Sequence, residues 1–297
     1  MRSFDHESFD RLLASCPCRI GVYLEDLDSG ASYEHHADEL FPTASICKVP
    51  VMITLYRQAG EGRLSLDERV RLGDDIGIWG TGALRLLRDA PDLTLRDYCR
   101  LMIDISDNMA TDLLMRRVGF DAINATMEAL GCAHTRVNMT MAEWMDLVCD
   151  MRGVPCNHAN YPELLRRYRQ GHRNWNTLAS QPSLDNNVTT PREIGALMSA
   201  IHRGEVISPE ASAEMLDILE ACTDRSMIPS DLAWHVKVAH KVGSGCGVKA
   251  DAGVVYLPTG PLLVSVMLFD KAGGAQWIGD VARLAVQFFS PQSIADQ

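Results

Sequence analysis

Three rhythms of apolar and polar positions divide the chain. Residues 5–15 place Phe9, Leu12 and Leu13 on one side of a short helix, and Cys18–Asp26 is β-rich. Asp28-Ser29-Gly30 reads as a turn and Ala31–His35 as the returning strand, so the chain opens on a helix and a hairpin. Ile46–Gly60 is apolar nearly all round, which predicts a buried helix. Its Pro50 is tolerated only in a first turn, so that helix should begin near Ser45 or Ile46. Residues 65–205 read as mainly helical. Helices are predicted over Thr94–Ile105, Ala110–Val118, Asp121–Leu130, Ala142–Met151, Tyr161–Gln170 and Pro191–His202, with glycines at 119, 131, 153, 171 and 204 as stops. Strands return at Val236–Lys241, Ala252–Leu257 and Leu262–Phe269, and Trp277–Phe289 closes as an amphipathic helix.

Strands at both ends around a helical middle predict an α+β architecture: one sheet built from both termini, with a helical block inserted. The expected division is 1–42 with 205–297 for the sheet subdomain and 43–204 for the helical one, with a possible insertion at 153–186. The 297 residues are 46% hydrophobic, enough for a sizeable core. A net charge of −11 without any basic patch excludes nucleic acid as an expected partner. Arg166, Arg167 and Arg169 read as the polar face of a helix. No stretch reaches the roughly 20 apolar residues of a membrane span. The opening Met1–Glu7 has no apolar leader, so a cytoplasmic location is expected. Nine cysteines lie at irregular spacings, and only Cys16-x-Cys18 is a close pair; reduced thiols are expected, with no metal and no other cofactor. His35-His36 read as surface residues, since neighbours on a strand face opposite ways.

Three short motifs carry candidate chemistry. In Ser45-Ile46-Cys47-Lys48, positions i and i+3 share one face of a helix. A serine hydroxyl becomes a nucleophile when a base takes its proton, and a lysine amine one turn on serves if burial and nearby positive charge favour its neutral form. Lys48 stands in a run otherwise free of charge; the alternative is a capping Ser beside an ordinary Lys. Ser106-Asp107-Asn108 joins two helices, and a helix cap would account for one of its three residues. Lys241-Val242-Gly243-Ser244-Gly245 follows a strand. It reads either as a plain turn or as an edge strand whose backbone, at Gly243, must approach a ligand.

In this combination and order, the motifs resemble those of the serine β-lactamase and penicillin-binding protein family, and of its class A enzymes in particular. Phe41-Pro42-Thr43-Ala44-Ser45, Asn187-Val188-Thr189-Thr190-Pro191, Ala239-His240-Lys241 and Asp251–Tyr256 extend the resemblance from about residue 20 to residue 289. The resemblance implies an antiparallel five-stranded sheet flanked by helices, with an inserted all-helical subdomain. It implies that Ser45 attacks a carbonyl and becomes acylated, with Lys48 as base or relay. Ser106 would pass a proton to the leaving group and Asn108 would hold a substrate amide. Lys241 would supply positive charge for a substrate carboxylate and for Ser106. The backbone N–H groups of Ser45 and Ser244 would form the oxyanion hole, and the Ser244 hydroxyl would also bind a carboxylate. Trp79, in Ile78-Trp79-Gly80-Thr81-Gly82, takes the place of an aromatic at the mouth of the cleft; ordinary packing is the other reading. The implied substrate is a small amide, ester or β-lactam.

The chain departs from this pattern in three places. Val242 stands where a hydroxyl residue is usual, removing a hydrogen bond worth roughly 0.5–1.5 kcal/mol to a substrate carboxylate. Where class A enzymes carry a deacylating Glu, this chain has Met141 or Ala142, with Glu143 one or two residues on. Glu143 is either a water-activating base or, with Thr140, half of a capping box. Lastly, residues 153–186 are additional; they read as an extra helix plus loop, either structural or a lid over the cleft. The resemblance, with these departures, implies a serine hydrolase forming an acyl-enzyme on Ser45, or else a transacylase or an acylated sensor that water does not efficiently release.

Overall fold

The computed structural model of the protein describes residues 4–73, 75–151, 153–155, 157–172, 174–270 and 274–295; Met1–Ser3 of the opening segment and Cys156 lie outside the described residues. In chain order the elements are α1 (His6–Ala14), β1 (Arg19–Asp26), β2 (Ser32–His35), β3 (Phe41–Pro42), α2 (Lys48–Gly60), β4 (Arg69–Arg71) and β5 (Asp92–Thr94). Then follow α3 (Leu95–Asp104), α4 (Asn108–Val118), α5 (Phe120–Ala129), α6 (Met141–Cys149), α7 (Tyr161–Arg169) and β6 (Val188–Thr189). The chain ends with α8 (Pro191–Arg203), α9 (Pro209–Glu220), β7 (Lys237–Gly245), β8 (Val248–Leu257), β9 (Gly260–Phe269) and α10 (Ala275–Phe289). Two compact units divide it, Met1–Ile46 with Thr189–Gln297, and Cys47–Val188.

The first unit is built on a five-stranded antiparallel sheet in the order β2-β1-β9-β8-β7. The N-terminal β1 pairs along its whole length with the C-terminal β9, from Arg19 opposite Phe269 to Asp26 opposite Leu262. Alternation sorts the side chains to two faces. Val22, Leu24, Val264 and Val266 pack with Ile278, Val281 and Ala285 of α10 and with Phe9 and Leu13 of α1. On the other face Tyr23, Leu263 and Ser265 meet α8 at Gly195, where an added Cβ would lie 2.9 Å from the Tyr23 ring. This contact puts α8 with the sheet, whereas the helical block was expected to run on to residue 204.

Three features of this unit differ from expectation. α9 was not anticipated, although Ser208 caps it by accepting from Ala211 N at 3.2 Å and Pro209 occupies its first turn. β7 does not stop at Lys241; pairing of Val242 with Asp251, Gly243 with Ala250 and Ser244 with Lys249 carries it to Gly245 at the edge of the sheet. His35 and His36 do not point apart: His36 leaves the strand with φ 47°, and the two rings meet edge to face at 4.2 Å.

The second unit is helical. α2 is buried from Lys48 to Tyr56, as its unbroken apolar run requires. Side-chain caps set the starts of its neighbours: Thr94 for α3, Asp107 for α4 and Thr140 for α6. Within 153–186 lies α7, whose Leu164 is buried. The described cysteines are free thiols. No described helix is long and apolar enough to cross a membrane.

Candidate active site

Ser45 lies in a short 3-10 turn, Ala44–Cys47, immediately before α2, rather than in the first turn of a regular α-helix. Ala44 is held at φ 44°, a left-handed conformation uncommon for a residue with a Cβ. Ser45 is 9% exposed. The edge strand β7 runs close beside this turn. A Cβ added to Gly243 would lie 2.6 Å from Thr43 O and 3.2 Å from Ile46 N, so only glycine permits the approach. The edge-strand reading of Lys241–Gly245 is therefore the one observed. Lys241 is fully buried, with Nζ donating to Val242 O at 3.0 Å. Ser244 is exposed, and its hydroxyl accepts from Lys249 Nζ at 2.5 Å. Lys249 was missed in the sequence; only the register, which sets it opposite Ser244, reveals it.

A second set of groups gathers in the helical unit. Lys48 is fully buried, and its Nζ donates to Ser106 Oγ at 2.8 Å, to Ser106 O at 2.8 Å and to Asn108 Oδ1 at 2.7 Å. The Ser-Asp-Asn turn that presents these acceptors is strained and braced. Ser106 sits at φ 57°. Buried Asp107 caps α4, accepting from Met109 N and Ala110 N at 3.0 Å each, while its other oxygen accepts from Leu84 N at 2.8 Å. Thr81 binds the turn twice, donating from Oγ1 to Ser106 O at 2.5 Å and accepting from Asn108 N at 3.1 Å. Gly80, at φ 77°, lies so near Asn108 that a Cβ would overlap its amide. The loop 78–82 is thus a support for Ser106-Asp107-Asn108.

Trp79 is 5% exposed, so it is not an open aromatic. Its ring meets Tyr168 edge to face at 5.3 Å and Tyr161 at 6.2 Å, both from α7. The residues added between 153 and 186 cover it. Glu143 completes the capping box: Oε2 accepts from Thr140 N at 2.8 Å and from Thr140 Oγ1 at 2.9 Å, and Glu143 N donates to Thr140 Oγ1 at 3.1 Å.

Asp112, one turn beyond Asn108 on α4, was not foreseen. Its carboxylate accepts from Met141 N at 2.6 Å and Ala142 N at 3.0 Å, anchoring the start of α6. Burial pushes this acid up to about 7, against the opposing pull of those two hydrogen bonds and of the Lys48 charge. Asp146, on the next turn of α6, is pushed up to about 6 by burial and by the charge of Glu143.

Residues 6–289 match the beta-lactamase enzyme family. The chain belongs to that family. It is 26% identical over 260 residues to a β-lactamase of Streptomyces lavendulae, covering 84% of this chain and 73% of that protein. A solved β-lactamase of Sphaerobacter thermophilus superposes with a TM-score of 0.79 at 27% identity, over 97% of this chain and 98% of the other. A mutant of PBP-A, solved as an acyl-enzyme complex with penicillin G, gives 0.77 at 27% identity over 96% of each chain. The protein is thus a serine hydrolase of the β-lactamase-like family, with the α+β fold of its class A members. The Ser45 turn with β7, and separately the Lys48–Ser106–Asn108 network, are the folded form of the three motifs singled out in the sequence.

Proposed function

We propose that the protein opens β-lactams, or comparable small amides and esters, through an acyl-enzyme on Ser45. The observation that supports this best is the buried hydrogen-bond network of Lys48 with Ser106 and Asn108. In the proposed first step, Ser45 Oγ forms a bond to the substrate carbonyl carbon as the carbonyl becomes an oxyanion. Lys48 takes the Ser45 proton, and Ser106 delivers a proton to the leaving nitrogen as the C–N bond breaks. The N–H groups of Ser45 and Ser244 receive the oxyanion. Asn108 holds the substrate amide, and Lys241 attracts a substrate carboxylate. The hydrogen bond from Lys249 makes the Ser244 hydroxyl part of an electropositive strand end. Trp79 acts as a packing residue beneath α7, and Glu143 as a helix cap.

A second reading concerns the fate of the acyl group. Met141 and Ala142 stand where a deacylating Glu is expected, and Glu143 is committed to its cap. Slow release by water is the consequence, as in an acyl carrier to another nucleophile or a sensor that stays acylated. The resemblance to PBP-A, whose mutant is described with bound penicillin G, is in keeping with that reading. Initial rates on a chromogenic cephalosporin and on an activated aryl ester test the proposal. Ser45→Ala should lower both by at least about a thousandfold. Hydrolysis unchanged in that variant would remove Ser45 from the reaction.

A further inference from the structure

β7 carries a separate set of reactive groups. His240 is buried, with Nδ1 2.9 Å from Asp251 Oδ1 and 3.1 Å from Asp251 Oδ2 on β8. Asp251 Oδ2 also accepts from Ile228 N at 2.9 Å, which fixes the carboxylate. Cys222, just beyond the end of α9, shares a cavity with this imidazole and feels its charge. Cys222, 8% exposed, lines a cavity of about 280 Å³ together with His240. Around its rim stand Arg225, 4.9 Å from the ring of exposed Trp234, and His235 and Lys237, with Glu220 paired to Lys237 at 3.1 Å.

Thiol, imidazole and carboxylate therefore stand in the order by which a cysteine is activated. Burial opposes the Cys222 thiolate, but the charges of His240 and Lys241 outweigh it, and the thiol is held below its ordinary value. Burial likewise opposes charging of His240, yet Asp251 carries it up to about 10.

We propose that Cys222, His240 and Asp251 form a second nucleophilic centre, at which Cys222 is modified covalently by small disulfides that bear carboxylates. The Cys222 thiolate attacks one sulfur of the disulfide, a new S–S bond forms, and the other sulfur leaves as a thiolate that takes its proton from water. His240 holds the attacking thiolate in its charged form, Asp251 positions His240, and the basic rim attracts the carboxylates. The groups that face Cys222 are His240 and Lys241 from β7, Asp224 on its own segment, and Asp251 from β8 behind the imidazole.

Reaction of the full chain with dithiobis-nitrobenzoate, followed by peptide mapping, tests this. The Cys222 peptide should be labelled first, and at pH 6 at least about twofold faster than a free cysteine peptide, because more of its thiol is in the reactive thiolate form. Asp251→Asn should slow that phase and move its pH midpoint upward, and Cys222→Ser should abolish it. If Asp251→Asn does not fold, the wild-type midpoint decides alone. A midpoint at or above that of the denatured chain, or labelling of Cys222 only after denaturation, would overturn the proposal. Among alkyl disulfides with similar leaving thiols, dithiodiglycolate should react faster than neutral hydroxyethyl disulfide at low salt, with the gap closing as salt rises; equal rates at low salt would overturn the carboxylate preference.

Discussion

Lys48 is fully buried, and its amine lies within hydrogen-bond distance of Ser106 Oγ, Ser106 O and Asn108 Oδ1. Removing it should cost the acylation step more than it costs binding. Lys48→Ala is expected to reduce the single-turnover acylation rate by about 10²- to 10⁴-fold while circular dichroism still reports a folded chain. A loss confined to KM would argue against a proton-transfer role. Glu143 calls for the opposite outcome. Glu143→Gln keeps an oxygen for Thr140 N, so turnover should stay within about twofold. Glu143→Ala should lower unfolding free energy by about 1 kcal/mol in denaturant titration. Accumulation of a Ser45 adduct in the Gln variant would reinstate Glu143 as a deacylation base. Among single residues, Ser45, Lys48 and Ser106 stand out in the sequence because the spacing of each motif names its residues. Lys249, Thr81 and Asp112 do not, because each reaches its partner through strand register or loop placement. In a linear reading they are an ordinary Lys, Thr and Asp.

Helix starts were the most legible elements, since Thr94, Asp107, Thr140 and Thr190 each announce a cap that the structure contains. The edge strand extends past its expected end because Gly243 and Gly245, which look like turn residues, are held by cross-strand pairing that outweighs their weak β preference. Two predictions belong at this scale. Asp112 ties α4 to α6, and its folded-state value of about 7 lies above the ordinary 3.8. The folded state therefore holds that proton more tightly than the unfolded chain does. The resulting stabilisation is complete below about pH 4 and is lost as pH rises through 7, on the order of a few kcal/mol. Asp112→Asn should flatten the stability profile between pH 5 and 8; parallel profiles for variant and wild type would contradict this linkage. Trp79→Ala should remove the aromatic contacts with Tyr161 and Tyr168 and cost about 3–5 kcal/mol in thermal unfolding. A destabilisation under about 1 kcal/mol, with substrate KM raised instead, would return Trp79 to the mouth of a substrate cleft.

For the molecule as a whole, strands at both ends of the sequence foretold a sheet shared between the termini, and β1 does pair with β9. The order of the strands and the place of α8 with the sheet were beyond the hydrophobic pattern, because both depend on which faces meet. In the proposed function the acylation chemistry rests on the resemblance to the family, and residues 141–143 are where release of the acyl group by water would differ. The central claim is a covalent intermediate on Ser45. Its most direct test mixes the protein with penicillin G, quenches in acid within seconds, and locates the added mass by peptide mapping. One penicillin G should be found on the peptide containing Ser45 and be absent from Ser45→Ala. An adduct on another residue, or neither adduct nor hydrolysed penicillin in the wild type, would contradict the account.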